Sequence, residues 1–224
     1  RDDVESRGLG DVYKRQMVEA LAQSDAAVKG MWCVPKYSNP TGETYSEETV
    51  RRIASLRPAA PDFRVFWDMA YALHDLDSTP DELLNIFALT RGTENENLVL
   101  GFFSTSKITY AGAGVAMMIS GADNVKRARA EIAYQTISPD KMNQLRHARY
   151  LACADNVRAL MRRHASVLKP KFDTVTRVFQ KEFSDCGFAS WTEPHGGYFL
   201  SLDVLPGTAR RTVELLSLIH ISEP

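Results

Sequence analysis

Four short apolar runs limit what this chain can fold into. Val28 to Val34, Arg64 to Trp67, Asn97 to Phe103 and Val115 to Ile119 have the length and character of strands. Between the first three lie stretches with helical spacing, Glu47 to Leu56 and Asp81 to Leu89. Strand, helix, strand, helix is the order that builds a parallel sheet. The fourth run is mostly apolar, the pattern of a strand covered on both faces. Ser46 is suited to cap the first helix, on which Thr49, Val50, Ile53 and Leu56 share one face. Each of the first three strands delivers a polar segment: Pro35-Lys36-Tyr37-Ser38-Asn39-Pro40-Thr41-Gly42, then Asp68-Met69-Ala70-Tyr71, then Ser104-Thr105-Ser106-Lys107. In open α/β sheets ligands bind at that edge, so candidate functional residues are sought there.

The texture changes after Ala122. Long helical segments are expected over Asn124 to Thr136, Pro139 to Leu151 and Asp155 to Phe183, with Pro170 expected to kink or break the last. Phe188 to Trp191 and Tyr198 to Val204 read as two strands joined by the turn Thr192 to Gly197, and a helix begins near Thr208. This is the start of a second, smaller α+β domain. The ends differ from the rest. Residues 1–16 carry dense charge without an apolar period, and 217–224 cut off a helix-like run without a cap. Both are read as non-native tails, which divides the chain into 1–16, a large-domain segment 17–168, the start of a small domain 169–216, and 217–224.

Composition excludes several classes of function. With 27 basic and 28 acidic residues the net charge is -1, which offers no basic field for nucleic acid or an anionic membrane. Three scattered cysteines with no CxxC pair, and five histidines without metal-ligand spacing, give no metal site. The longest apolar stretch, Ala111 to Ile119, falls far short of the roughly 20 residues a membrane helix requires. A soluble, cytoplasmic protein with reduced thiols is expected.

Taken singly, the chemical candidates are ordinary. A lysine after a strand is usually solvated, an aspartate there can cap a helix, and Asn-Pro can simply turn the chain. Their order is not ordinary. Asn39 in an NPTG turn, Asp68 at a strand end with Tyr71 three residues on, then Ser104-Thr105-Ser106-Lys107 after another strand, resembles the class I (fold type I) pyridoxal-phosphate (PLP) aminotransferases. The bacterial aspartate-aminotransferase-like members are the closest in pattern. The likeness in motif order spans residues 33–119, and Pro194-His195-Gly196-Gly197-Tyr198-Phe199 extends it to about residue 205.

The resemblance implies an α/β fold: a fold type I large domain, mainly parallel sheet flanked by helices, plus the start of a smaller C-terminal domain. It implies PLP as cofactor and Lys107 as the catalytic residue that joins it in a Schiff base and then moves the substrate's α-proton. Asp68 would face the pyridine nitrogen, Tyr71 and Asn39 would donate to the ring's phenolic oxygen, and Ser104 and Ser106 would offer hydroxyls to the phosphate. The reaction implied is amino transfer from an aspartate-like amino acid to a 2-oxo acid, a step of amino-acid metabolism and biosynthesis, in a homodimer. Alternatives are another fold type I reaction, such as C–S elimination, or an effector domain of a bacterial transcription regulator.

Two departures matter. Many class I enzymes carry an arginine soon after the lysine to hold the phosphate, whereas no Arg or Lys stands between Lys107 and Lys126, and Ile108-Thr109-Tyr110-Ala111-Gly112-Ala113-Gly114 takes that place. The family's upstream phosphate loop and downstream carboxylate-binding arginine have no counterpart here, so the chain alone is expected to be inactive. Among other residues, His74 reads as a structural histidine more readily than as one set behind the cofactor, and His195 as part of a turn. Trp67, Phe102 and Phe103 read as core, and Arg158, Arg162 and Arg163 as a solvated helix face.

Overall fold

The computed structural model describes residues 17–221; the tail read over 1–16, and 222–224 of the other tail, lie outside them. Helix α1 (17–24) leads into β1 (Gly30–Cys33), α2 (Glu47–Ala54), β2 (Arg64–Asp68), α3 (Ile86–Thr90), β3 (Val99–Ser104) and β4 (Ala116–Ile119). These four strands form one sheet in the order β1-β2-β3-β4. β1, β2 and β3 are parallel, with Trp32 beside Phe66 and Val65 beside Val99. Three helices follow, α4 (Ala122–Thr136), α5 (Lys141–Leu151) and α6 (Ala154–Phe183), then the hairpin β5 (Ala189–Trp191) and β6 (Leu202–Val204), and α7 (Ala209–Ile221), which continues through 217–221.

The core lies on one face of the sheet. Strand residues alternate, and Cys33, Val65, Trp67 and Val99 point toward Ala22 of α1, Val50 and Ile53 of α2 and Ile86 of α3. Ser46 caps α2 as expected, its hydroxyl accepting from Thr49 N at 3.2 Å. At the other end of that helix the Asn95 amide donates to the carbonyls of Ala54 and Leu56, at 2.8 and 2.9 Å. The opposite sheet face is aromatic and more open. Trp32, 65% exposed, stacks on Phe66 at 5.4 Å, and Phe66 on Phe102 at 6.1 Å.

Three elements differ from the sequence reading. β4 runs antiparallel to β3 and is largely exposed, not doubly covered. The segment 105–115 contains no helix and is too short for a parallel crossover, which takes a dozen or more residues. α3 is shorter than expected because the chain around Asp81 is held elsewhere. Asp81 N donates to Tyr37 Oη, the Asp81 carboxylate accepts from Thr44, and Asn85 Oδ1 starts the helix by accepting from Phe87 N and Ala88 N. α6 passes through Pro170 without a break, and through the 168/169 boundary with it. Pro170 and Ser166 are both exposed, so the missing backbone bond costs less than it would in a core.

Cys33 sits in the core, and burial pushes its thiol up to about 12, while Cys153 and Cys186 are exposed. Since the thiolate is the nucleophile, a thiol-exchange reagent is expected to modify Cys153 and Cys186 in the folded chain and Cys33 only after denaturation. Rapid native labelling of Cys33 would contradict this packing.

Candidate functional site

The carboxyl ends of β2 and β3 carry the predicted residues to one edge of the sheet. Asp68 closes β2 beside Phe102 of β3, and Met69 N donates to Phe102 O at 2.8 Å, so the chain after Asp68 stays against β3. Asp68 is half-buried, and its Oδ1 accepts from Ala70 N at 3.0 Å, which starts the turn that brings Tyr71 back to the sheet edge. Tyr71 is buried, with its ring edge-on to Phe199 at 5.7 Å.

β3 ends in a tight turn. Ser104 Oγ donates to Ser106 Oγ at 2.9 Å and accepts from Ser106 N at 3.1 Å. Thr105, buried, donates its N–H to Val115 O, accepts from Val115 N on its hydroxyl at 2.8 Å, and takes Ile108 N and Thr109 N on its carbonyl. The glycine-rich loop before β4 explains itself at Gly114: a Cβ there would meet Ser106 N at 2.9 Å. Only glycine lets the loop close on the serine pair. From this turn Lys107 is exposed, and its Nζ lies 5.0 Å from the Tyr71 ring centroid, within cation–π range. Among the described residues the ammonium meets an aromatic face and no carboxylate.

Asn39 stands apart from this group. It is exposed, and its amide makes no hydrogen bond among the described residues. Its loop closes through Ser38 N to Glu43 O at 2.9 Å and packs at Gly42, where a Cβ would meet Pro194 Cβ at 2.6 Å and Phe199 O at 2.7 Å. Phe199 therefore touches both the Asn39 loop and Tyr71. Asp68, Tyr71, Ser104, Ser106 and Lys107 share the β2–β3 edge, whereas Asn39 is exposed on a loop joined to it through Phe199.

Sequence reasoning missed a polar network behind the site. Lys36 Nζ bonds Asp75 Oδ1 at 2.8 Å, Tyr37 Oη donates to the same oxygen at 2.7 Å, and His195 Nδ1 contacts Asp81 Oδ1 at 2.8 Å. Burial, then Asp75, raises the Tyr37 hydroxyl above its ordinary pKa, so it remains a donor. Gly196 lies on the Tyr37 ring, which a Cβ there would run into, and Leu76 N donates to His195 O at 2.9 Å. The turn before Tyr198 is thus fastened to the segment after Tyr71. The one local hint was the paired Gly196-Gly197 next to an aromatic segment.

His74 is 3% exposed, and burial holds its pKa below the ordinary histidine value of 6.5, with His164 and Lys107 adding like charge. The sign follows from proton binding. Below that ordinary value the unfolded ring takes a proton that the buried ring resists, so the unfolded state binds more protons. The contribution of His74 to stability is complete above 6.5 and declines as the pH falls through 6.5 toward the lowered value. His74→Gln is expected to flatten this part of the curve, read as denaturant midpoints at about pH 5 and 7.5. An unchanged slope would mean that His74 titrates as it does in the unfolded chain.

Fold and comparison together define the α/β architecture shared by the fold type I aminotransferases. The crystal structure of an aspartate transaminase from Corynebacterium glutamicum superposes with a TM-score of 0.87 at 47% identity, covering 91% of this chain and 48% of that one. The Pyrococcus horikoshii kynurenine aminotransferase, solved in complex with PMP, shares the fold at 23% identity and a TM-score of 0.66, over 82% of this chain and 43% of that one. The chain belongs to the aspartate amino-transferase family, whose model matches residues 10–222. An aspartate aminotransferase of Corynebacterium glutamicum is 49% identical over 198 residues, 88% of this chain and 46% of the relative. The chain thus spans about half the length of the curated relatives it matches. Among the described residues no helix is long and apolar enough to cross a membrane.

Proposed function

We propose that this chain is the cofactor-anchoring half of a PLP-dependent aminotransferase that moves an amino group from an aspartate-like amino acid to a 2-oxo acid. The observation that carries the reading is Lys107, an exposed amine 5.0 Å from the Tyr71 ring at the edge where Asp68 and the Ser104–Ser106 pair also emerge. The donor set fits the cofactor: an amine for its aldehyde, a carboxylate for its ring nitrogen, phenol and amide for its phenolic oxygen, hydroxyls for its phosphate. Gly114 strengthens the fit by keeping a side chain away from the Ser106 backbone.

PLP, when bound, supplies an electron sink that stabilises negative charge at the substrate α-carbon. The protein's part is to place groups around it. Lys107 Nζ would tether the cofactor and, once released, take and return the α-proton. Asp68, half-buried, would hold a proton on the ring nitrogen through a charge-assisted bond. Tyr71 and Asn39 would donate to the phenolic oxygen. Ser104 and Ser106 would donate to the phosphate in place of an arginine, since no cation other than Lys107 stands in 104–114. Residues 17–168 would belong to the large domain and 169–216 to the small one. A cytoplasmic homodimer belongs to the same reading, through kinship with the family.

The test is a visible absorption spectrum with added PLP, taken on this chain and on the chain completed with the rest of the Corynebacterium glutamicum relative. A band that borohydride removes, absent from Lys107→Ala, with the label recovered on Lys107, is the expected result. A folded protein without the band in either form would overturn the proposal.

A further inference from the structure

The Lys107 carbonyl is held in an unusual way. Among the described residues no backbone amide donates to it, although it sits in a turn whose neighbouring carbonyl, that of Thr105, takes two such bonds. Two side chains from distant segments serve it instead. His74 Nε2 lies 3.2 Å from the Lys107 oxygen, and the Tyr198 hydroxyl donates to it at 3.3 Å. The three rings behind the bond are packed on one another, His74 to Tyr198 at 5.1 Å, Tyr71 to His74 at 5.9 Å and Tyr71 to Tyr198 at 6.1 Å. Lys107 Nζ lies over the Tyr71 ring of that cluster.

We infer that His74 is a positioning residue for Lys107: with Tyr198 it clamps the lysine's own carbonyl and so fixes the main chain from which the amine is presented over Tyr71. The inference rests on the function proposed above.

The protonation state follows from the partners. A carbonyl oxygen only accepts, so Nε2 carries the hydrogen and Nδ1 is left with a lone pair. Nδ1 is buried and has no hydrogen-bond partner. A second proton would bury a charge beside Lys107 and His164, which the low exposure of the ring opposes. Neutral His74 thus donates to the lysine backbone without adding positive charge next to its amine. A leucine would fill the space and lose the donor. A glutamine keeps an N–H donor at comparable reach. This pair separates positioning from packing.

The test uses the completed chain loaded with PLP. His74→Leu is expected to fold and still be labelled at Lys107 by borohydride. Its kcat should fall about tenfold with KM for the amino donor little changed, and the pH midpoint of the visible band should move by about half a unit. His74→Gln should return both close to wild type, and Tyr198→Phe, which removes the second donor, should shift the same midpoint. On the chain without PLP, ¹⁵N shifts of His74 should report the neutral Nε2–H tautomer between about pH 6 and 8.

His74→Leu with wild-type kcat and midpoint overturns the inference, as does His74→Gln behaving like His74→Leu, or an Nδ1–H tautomer. If His74→Leu fails to fold, Tyr198→Phe decides: a moved midpoint supports the clamp, an unmoved one overturns it. A wild type that folds yet never takes PLP overturns the proposed function and the positioning role with it. A loaded wild type with indifferent variants overturns the positioning role alone.

Discussion

Asp68→Asn is expected to lower kcat of the completed, PLP-loaded enzyme by a factor of about 10²–10³, the usual consequence of removing one electrostatic group from a reacting centre. The substitution separates charge from structure. The introduced side-chain amide oxygen can still accept from Ala70 N, the 3.0 Å bond that turns the chain toward Tyr71, so the local fold is retained. Only the negative charge is lost. Because Asp68 is half-buried, that charge is less screened than a surface carboxylate, and the effect should persist at raised salt. Steady-state kinetics beside a thermal melt provide the measurement. Wild-type turnover in the Asp68→Asn enzyme would remove Asp68 from the site.

Trp67→Ala, one residue earlier, should act on stability instead. Trp67 is 1% exposed, lies among Cys33, Val65 and Val99, and meets Tyr45 edge-on at 5.9 Å. Truncating so large a buried ring is expected to cost about 3–5 kcal/mol. For a chain of this size that lowers the melting temperature by roughly 10 °C or more. Trp32 is the internal control. It shares the sheet but is 65% exposed, so its truncation should cost far less. Equal losses at the two positions would mean that the open face is as well packed as the core face. Asp68 stands on the same strand as Trp67, so the core indirectly sets the position of the site.

Much of the architecture was legible because it is written in local pattern. The runs 28–34, 64–67 and 97–103 became β1, β2 and β3, and Ser46 capped α2, since a strand's apolar content and a cap's side chain act over a few residues. The direction of β4 was not legible from its composition, because parallel and antiparallel strands can use the same residues. The lack of a helical crossover over 105–115 did contain it. At the β2–β3 edge, Asp68, Tyr71, Ser104, Ser106 and Lys107 were singled out because their order along the chain resembles a family motif, each lying at or just past a strand end. Their supports could not. His195 and Asp81 are 114 positions apart, and Lys36 and Asp75 are 39 apart, so no local pattern links them. His74 was read as structural because a buried histidine has no sequence signature that names its acceptor.

The long helix α6 adds a mechanical consequence. Its one buried residue is Met161, near its start, and Lys169 Nζ meets Asp77 at 3.0 Å farther along. At its far end Phe179 packs on Trp191 at 5.6 Å and Phe183 on Phe188 at 6.0 Å. The helix is therefore a rod about 45 Å long, at 1.5 Å per residue, with its seat near one end and the hairpin that leads to Tyr198 on the other. A tilt of about 5° about Met161 would carry the Phe183 end by about 3 Å. That equals the length of the hydrogen bond from Tyr198 to the Lys107 carbonyl. A small change in the angle of one helix would thus displace the hairpin by about the reach of a single hydrogen bond.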